Sequence, residues 1–281
     1  MSGTPSLEDE FGDVVAKARR GLGLVLDEAA RMAGLTPDEL ARVERYEYIP
    51  REAVVRGLAA ALGLAPDRLW ASARRQYRPV ARDGQHRQIA VTTWRLGAPY
   101  ATNAYLVTCR RTGASLLIDP GADAETLVAG LAASAARVER ILLTHGHGDH
   151  VGALDAASAH TGAPAHIHPA DRALLGLLAA RVCGELADNM RIAWGSQALV
   201  VRHLPGHTPG SVCLLHDEAA FVGDALFAGS IGSTKDPASH ARLRQGIAAQ
   251  LLSRPPGLCL YPGHGPATTV AEERAHNPFF A

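Results

Sequence analysis

The chain has 281 residues, 47% hydrophobic and 20% charged, enough for a well-buried core in one large and one small domain. Lys plus Arg and Asp plus Glu stand at 28 each, so no global charge draws the chain to nucleic acid or to an anionic membrane. Its four cysteines, Cys109, Cys183, Cys213 and Cys259, form no C-x-x-C pair, as expected for reduced thiols in a cytoplasmic protein. The acidic start, MSGTPSLEDEFGD, lacks the basic, apolar leader of a secreted protein, and no apolar run reaches membrane-spanning length.

From residue 7 to residue 70 the pattern predicts helices only. Phe11, Val14, Val15 and Ala18 fall on one helical face. A second helix fits LDEAARMAG and ends at Gly34. A third fits TPDELARVERY, with Thr36 as N-cap, Pro37 at the first helical position and Glu39 three residues after the cap. A fourth, in REAVVRGLAAALG, runs from after Pro50 to Gly63, and APDRLW supplies a last turn. Residues 26–69 resemble the Cro/CI-type helix-turn-helix domain at Ala30, Gly34, Leu40, Val43, Glu44, Pro50 and the closing AAALGLAPDRL. DNA is the partner that this resemblance implies. The recognition helix, however, starts Pro37, Asp38, Glu39, and Val25 replaces the usual small polar start of the preceding helix. Arg42, Arg45, Arg74, Arg75 and Arg78 are the cations available to phosphate, but acids and bases balance over residues 1–80. Homodimerisation, or docking on the rest of the chain, is the favoured role.

We expect a small all-α domain over residues 1–75 and a polar, basic linker over 76–88. An α/β domain follows over 89–281. There, strands fit NAYLVTC, SLLID, RILLT, APAHIH, ALVVRHL, VCLLH, AAFVG and LCLYP. Helices fit AETLVAGLAAS, VGALDAASAHTG, PADRALLGLLAARV and HARLRQGIAAQLL.

Four of those strands run into metal-competent side chains. RILLT leads to His145, His147, Asp149 and His150; ALVVRHLP leads to His207; AAFVG leads to Asp224; LCLYPG leads to His264. In α/β sheets, sites gather beyond the carboxyl ends of the strands. The glycines beside these residues let the backbone turn sharply and approach an ion. One catalytic ion takes about three protein ligands and a water. Five histidines and two aspartates overfill one ion and suit two. We assign His145, His147 and His207 to the first ion, Asp149, His150 and His264 to the second, and Asp224 to a bridge.

This His-x-His-x-Asp-His pattern with its later histidine, aspartate and histidine resembles the metallo-β-lactamase fold of metallohydrolases, from about residue 89 onward. IDPGAD, LPGHTPGS, GDALFAGSIG and YPGHGPATTVAEERAHNPFF resemble its short, glyoxalase II-like branch. The resemblance implies a four-layer αββα sandwich with the metals at one edge. It implies two divalent cations, zinc first with iron or manganese compatible, holding a bridging hydroxide. The implied activity is hydrolysis of a small thioester or ester, as in hydroxyacylglutathione hydrolases. Asp149 would orient the hydroxide and accept a proton besides ligating. A persulfide dioxygenase is the alternative within the fold, with one iron on His145, His207 and Asp224. A DNA-binding regulator that uses the fold as a sensor is a third reading. A nuclease lacks a basic track.

Other residues near the motif receive other roles. His166 and His168 read as structural or rim residues, His203 as a partner behind the ligands, and Asp119 as a brace beneath the histidine loop. His86, His160, His216, His240 and His276 are not expected to ligate, and AEERAHNPFF is expected to pack. After AGSIG the branch usually carries an arginine; here Ser233, Thr234, Lys235 and Asp236 follow. The sequence stops at Ala281, directly after the fold, so the helical domain that helps long glyoxalase II enzymes hold glutathione is not expected.

Overall fold

The computed structural model describes residues 6–97 and 101–281. Five helices come first: α1 (Phe11–Gly21), α2 (Leu26–Ala33), α3 (Pro37–Glu44), α4 (Glu52–Leu62) and α5 (Pro66–Ala73). Local chemistry explains their ends. Thr36 Oγ1 accepts from Glu39 N while the Glu39 carboxylate accepts from Thr36 N, a reciprocal cap for α3. Gly34 and Gly63 close α2 and α4 in the left-handed region. Val25 gives α2 no side-chain cap and is 64% exposed. Phe11, Val14, Val15 and Ala18 are buried together with Leu40, Val43, Leu58 and Leu62.

Two six-stranded sheets follow. The first contains β1 (Ile89–Leu96), β2 (Thr102–Cys109), β3 (Ala114–Ile118), β4 (Arg137–Leu142), β5 (Ala165–Ile167) and β6 (Val182–Glu185), in that spatial order. The second contains β7 (Arg191–Trp194), β8 (Gln197–His203), β9 (Val212–Leu215), β10 (Ala219–Gly223), β13 (Cys259–Pro262) and β14 (Thr268–Thr269), in the order β14-β13-β10-β9-β8-β7. A hairpin of β11 (Leu226–Phe227) and β12 (Ser230–Ile231) leaves the end of β10. Helices α6 (Ala124–Ser134), α7 (Gly148–Val151) and α8 (Leu154–Thr161) belong to the first half, α9 (Pro237–Gln250) and α10 (Val270–His276) to the second.

The two-residue period of a strand sorts side chains into layers. On β3, Leu116 and Ile118 face the second sheet, while Leu117 faces the side covered by α6 and α8. On β10, Ala219 and Phe221 meet the first sheet, while Ala220 and Val222 turn to α9. The result is the expected αββα sandwich, preceded by helices. Those helices join the outer layer: Leu243, Ile247, Leu251 and Phe279 share one buried cluster with Phe11, Val14 and Leu62.

One predicted helix needs revision, and three strands were not predicted. PADRALLGLLAARV is not an α-helix but a 3₁₀ segment, Pro169–Arg181, broken at Gly176 with φ 53° and ψ −124°. Helical spacing alone does not distinguish the two, and this segment buries only Asp171 and Leu175. The strands β1, β6 and β7 carried no clean signal: β1 is exposed or half-exposed at Thr92, Thr93, Trp94 and Arg95.

Residues 76–88 lie pinned to the α/β domain. Tyr77 is 7% exposed; its hydroxyl donates to Glu273 at 3.1 Å and contacts Thr268 Oγ1 at 2.9 Å. Arg82 pairs with Glu272 at 2.7 Å. Glu273 is wholly buried and also accepts from Gly229 N and Asn277 Nδ2. Burial pushes its carboxyl up to about 7 from 4.5, against the hydrogen bonds that pull it down. The folded state therefore binds this proton more tightly than the unfolded chain. The resulting stability is complete below about pH 4.5 and is lost as pH rises through 7, by roughly 3 kcal/mol. Glu273→Gln is expected to flatten that part of the stability–pH curve in urea melts from about pH 5 to 8. Equal slopes in the two proteins would contradict it.

Candidate metal centre

Strand ends deliver all seven predicted residues to one crevice. β4 ends at Leu142, and the chain then presents His145 and His147 before α7 begins. Asp149 and His150 lie on α7 itself, so this short helix turns them away from the preceding loop. β8 leads to His207, β10 to Asp224 and β13 to His264. Gly263 has to be glycine: a Cβ there would lie 2.2 Å from Asp224 Oδ1 and 2.6 Å from the His150 ring. At Gly223, φ is +49° and a Cβ would strike Thr144 Oγ1 at 2.5 Å.

The donors form two groups. His145 Nε2 lies 3.1 Å from His147 Nδ1, and His207 Nε2 lies 3.0 Å from that same Nδ1. Asp149 Oδ2 lies 3.1 Å from His264 Nε2, which lies 3.3 Å from His150 Nε2. Asp224 stands between the groups. Its Oδ1 is 3.3 Å from His150 Nε2, and its Oδ2 is 3.4 Å from His207 Nε2 and 3.6 Å from His264 Nε2. Both His145, His147, His207 and Asp149, His150, His264 converge closely enough to hold a metal ion.

The residues fit such ions. Four donors about 2.05 Å from a tetrahedral zinc would lie roughly 3.3 Å apart, the spacing seen here. Buried Asp224 Oδ1 has no hydrogen-bond donor among the described residues, which suits a ligand atom and would be costly otherwise. The far sides of the imidazoles are also set. His150 Nδ1 donates to Asp119 Oδ2 at 3.0 Å, His207 Nδ1 to Ser233 O at 2.9 Å, and His264 Nδ1 to Ala101 O at 3.1 Å. His145 Nδ1 donates to Thr144 Oγ1, which in turn donates to Asp119 Oδ2 at 2.6 Å. In its neutral form, each of these four rings therefore turns a bare Nε2 toward the centre. Burial holds the His145 and His207 imidazoles below their usual range, so their lone pairs stay free at neutral pH. Burial alone would raise the Asp224 carboxyl, but His150, His145 and His207 hold it well below the usual carboxylate range.

Asp119 belongs to the brace beneath the ligands. It also accepts from Thr144 N at 2.7 Å and sits at φ +48°, a left-handed position that Asp tolerates better than most residues. His168 stacks on His203 with ring centroids 4.1 Å apart, and His203 Nε2 donates to Pro209 O at 2.9 Å. Both thus support the His207 loop from outside, while His166 lies on β5, in neither donor group.

The sequence reading missed Asp171. Fully buried, it accepts from Gly146 N at 3.1 Å, Thr208 Oγ1 at 2.6 Å and Gly210 N at 2.6 Å. One carboxylate thus ties the His145–His147 loop to the His207 loop. Its only sequence signal was an acid in the first turn of an apparent helix, which reads as a cap. Asp171→Ala is expected to weaken ion binding at the His145, His147, His207 group about 10–100-fold, measured by competition with a chelator. Unchanged affinity would leave Asp171 with a packing role alone.

A sandwich whose strand ends converge on two such donor groups, with Asp224 between them, defines a metal-binding class of α/β protein. The chain belongs to the metallo-beta-lactamase superfamily, whose family model matches residues 97–264. A hydroxyacylglutathione hydrolase, GloC, from Haemophilus influenzae is 33% identical over 181 residues, covering 58% of this chain and 85% of its own. The crystal structure of BLEG-1 B3 metallo-beta-lactamase is 32% identical with a TM-score of 0.61, covering 68% of this chain and 99% of that one. TTHA1623 in a di-iron-bound form is 36% identical with a TM-score of 0.58, covering 68% of this chain and 100% of that one. The family match begins beyond the five N-terminal helices. Among the described residues, no helix is long and apolar enough to cross a membrane.

Proposed function

We propose that the chain is a dinuclear metallohydrolase of small acyl thioesters, close in chemistry to the glyoxalase II branch. The observation that carries this reading is the pair of complete donor groups meeting at Asp224. Two divalent cations, if held by these donors, would lower the proton affinity of water and polarise a substrate carbonyl. The chain's own residues supply orientation and a proton acceptor. Asp149 is 42% exposed, against 9% for Asp224, so it faces the open side. Its Oδ2 is engaged by Thr102 Oγ1 at 3.1 Å and by His264, leaving Oδ1 to take a proton. Burial would raise this carboxyl, but His264 and His150 keep it below the usual range and therefore ionised. A thiolate leaves without strong acid assistance, which suits a site whose histidines are committed as ligands. The similarity to a hydroxyacylglutathione hydrolase and to a di-iron protein supports the reaction class and leaves zinc, iron and manganese as candidates.

Metal-loaded protein is expected to cleave members of a small thioester panel, to stop when a chelator strips it, and to recover when metal is restored. No cleavage of any thioester or ester by the loaded protein would overturn the reading. Oxygen uptake with a persulfide and one iron per chain would assign the dioxygenase chemistry instead.

For the helical module we propose a role toward the metal domain, not DNA binding or dimerisation. Arg45 pairs with Glu47 at 3.0 Å, and the Arg42 guanidinium lies 5.4 Å over the Tyr48 ring. Those two cations of the recognition-helix region are thus already engaged, and Asp38 and Glu39 stand where phosphate would approach.

A further inference from the structure

The acidic run Leu7-Glu8-Asp9-Glu10 leads into α1 and passes beside the metal centre. Glu8 packs on Gly265, the residue after His264. A Cβ on Gly265 would lie 3.0 Å from Glu8 Cβ and 3.1 Å from Glu8 N. Asp9 is 7% exposed and pairs with Lys17 at 2.5 Å. Lys17 also donates to Ile231 O at 3.1 Å, and its ammonium lies 4.5 Å over the Phe227 ring. Phe227 in turn meets the His264 ring edge-on at 5.8 Å. The start of the helical module is therefore fastened along the β11–β12 hairpin and the His264 loop, on one flank of the centre.

The charges along this flank do not cancel. Lys17 neutralises Asp9, and Arg75 pairs with Glu10 at 3.3 Å. Among the described residues Glu8 has no ion-pair or hydrogen-bond partner, although it is only partly exposed.

We propose that Glu8 stands on the His264 side of the substrate cleft and selects a thioester whose leaving group carries a positive charge. This rests on the hydrolase reading and deepens it. A lone carboxylate beside the cleft attracts an ammonium and repels the carboxylates of an acidic thiol such as glutathione. It also gives the N-terminal module a part in specificity.

The test compares uncleavable thioether analogues that share one acyl-like chain. One ends in an aminoethyl group and the other in a carboxyethyl group. Equilibrium binding to the metal-loaded full chain is measured by calorimetry at low and high salt. The wild type is expected to favour the amine about tenfold, an advantage that shrinks as salt rises. Glu8→Gln is expected to abolish the preference and Glu8→Lys to reverse it. Glu47→Gln, which removes an exposed acid on the same module, is expected to preserve it. An unchanged amine-to-carboxylate ratio in Glu8→Gln, or no preference in the wild type, overturns the proposal. Binding is read without turnover, so a protein that cleaves no thioester refutes the hydrolase reading while the ratio still reports on Glu8.

Discussion

Asp224→Ala is expected to cut thioester hydrolysis by at least ~10³-fold and to lower bound metal from two ions per chain to one or none. The reason is geometric. Asp224 is the one carboxylate whose two oxygens reach both groups, Oδ1 toward His150 and Oδ2 toward His207 and His264. Alanine removes a donor from each group and leaves a void lined by imidazoles that have lost their shared carboxylate. Elemental analysis beside steady-state kinetics reads both effects. Activity within tenfold of wild type, with two ions retained, would remove Asp224 from its bridging place. By contrast, Asp119 braces the far side of His150 and the Thr144 amide and hydroxyl, so its loss acts through orientation.

The second large effect concerns stability. Residues 76–281 produced alone are expected to aggregate, or to melt at least ~10 °C below the full chain. The outer face of the second sheet is closed jointly by α9 and the N-terminal helices, with Leu243, Ile247 and Phe279 packed among Phe11, Val14 and Leu62. Polar contacts cross the same seam: Ala65 N donates to Pro278 O at 2.7 Å, and Arg244 donates to Gly63 O at 3.1 Å. A full-chain substitution probes the seam more gently. At Gly21 a Cβ would lie 2.3 Å from His240 Nδ1, so Gly21→Val is expected to cost about 1–3 kcal/mol. A truncated chain that melts with the full one, as an independent domain on a loose tether would, contradicts this account.

Those two results bear on how much the sequence disclosed. The strand-end positions of His145, His207, Asp224 and His264 were legible because a short apolar run followed by glycine and a histidine or aspartate is a local signal. The structure brings all seven residues together, and Asp119 beneath them. The α/β class followed from the alternation of strands and helices, and the αββα layering from the family resemblance that the histidine motif carries. What stayed hidden depends on distant partners. Asp171 looks like a helix cap until Gly146 and Gly210, far apart in the chain, are seen to share it. Residues 76–88 look like a tether because polarity and arginines carry no sign that Tyr77 will be buried against Glu273. The 3₁₀ segment Pro169–Arg181 has the apolar count of a helix but breaks at Gly176. The acidic run at Glu8 reads as a solvated end, since nothing local shows that it will lie against Gly265.

The central claim is that the two donor groups work as one dinuclear centre, and a metal titration of the apo protein tests it most directly. Activity on a cleaved thioester is followed as zinc, manganese or iron is added in known equivalents, with bound metal counted at each step. The account predicts little turnover at one equivalent per chain and full turnover at two. Turnover that saturates at one equivalent, or none at two with both ions bound, would contradict it.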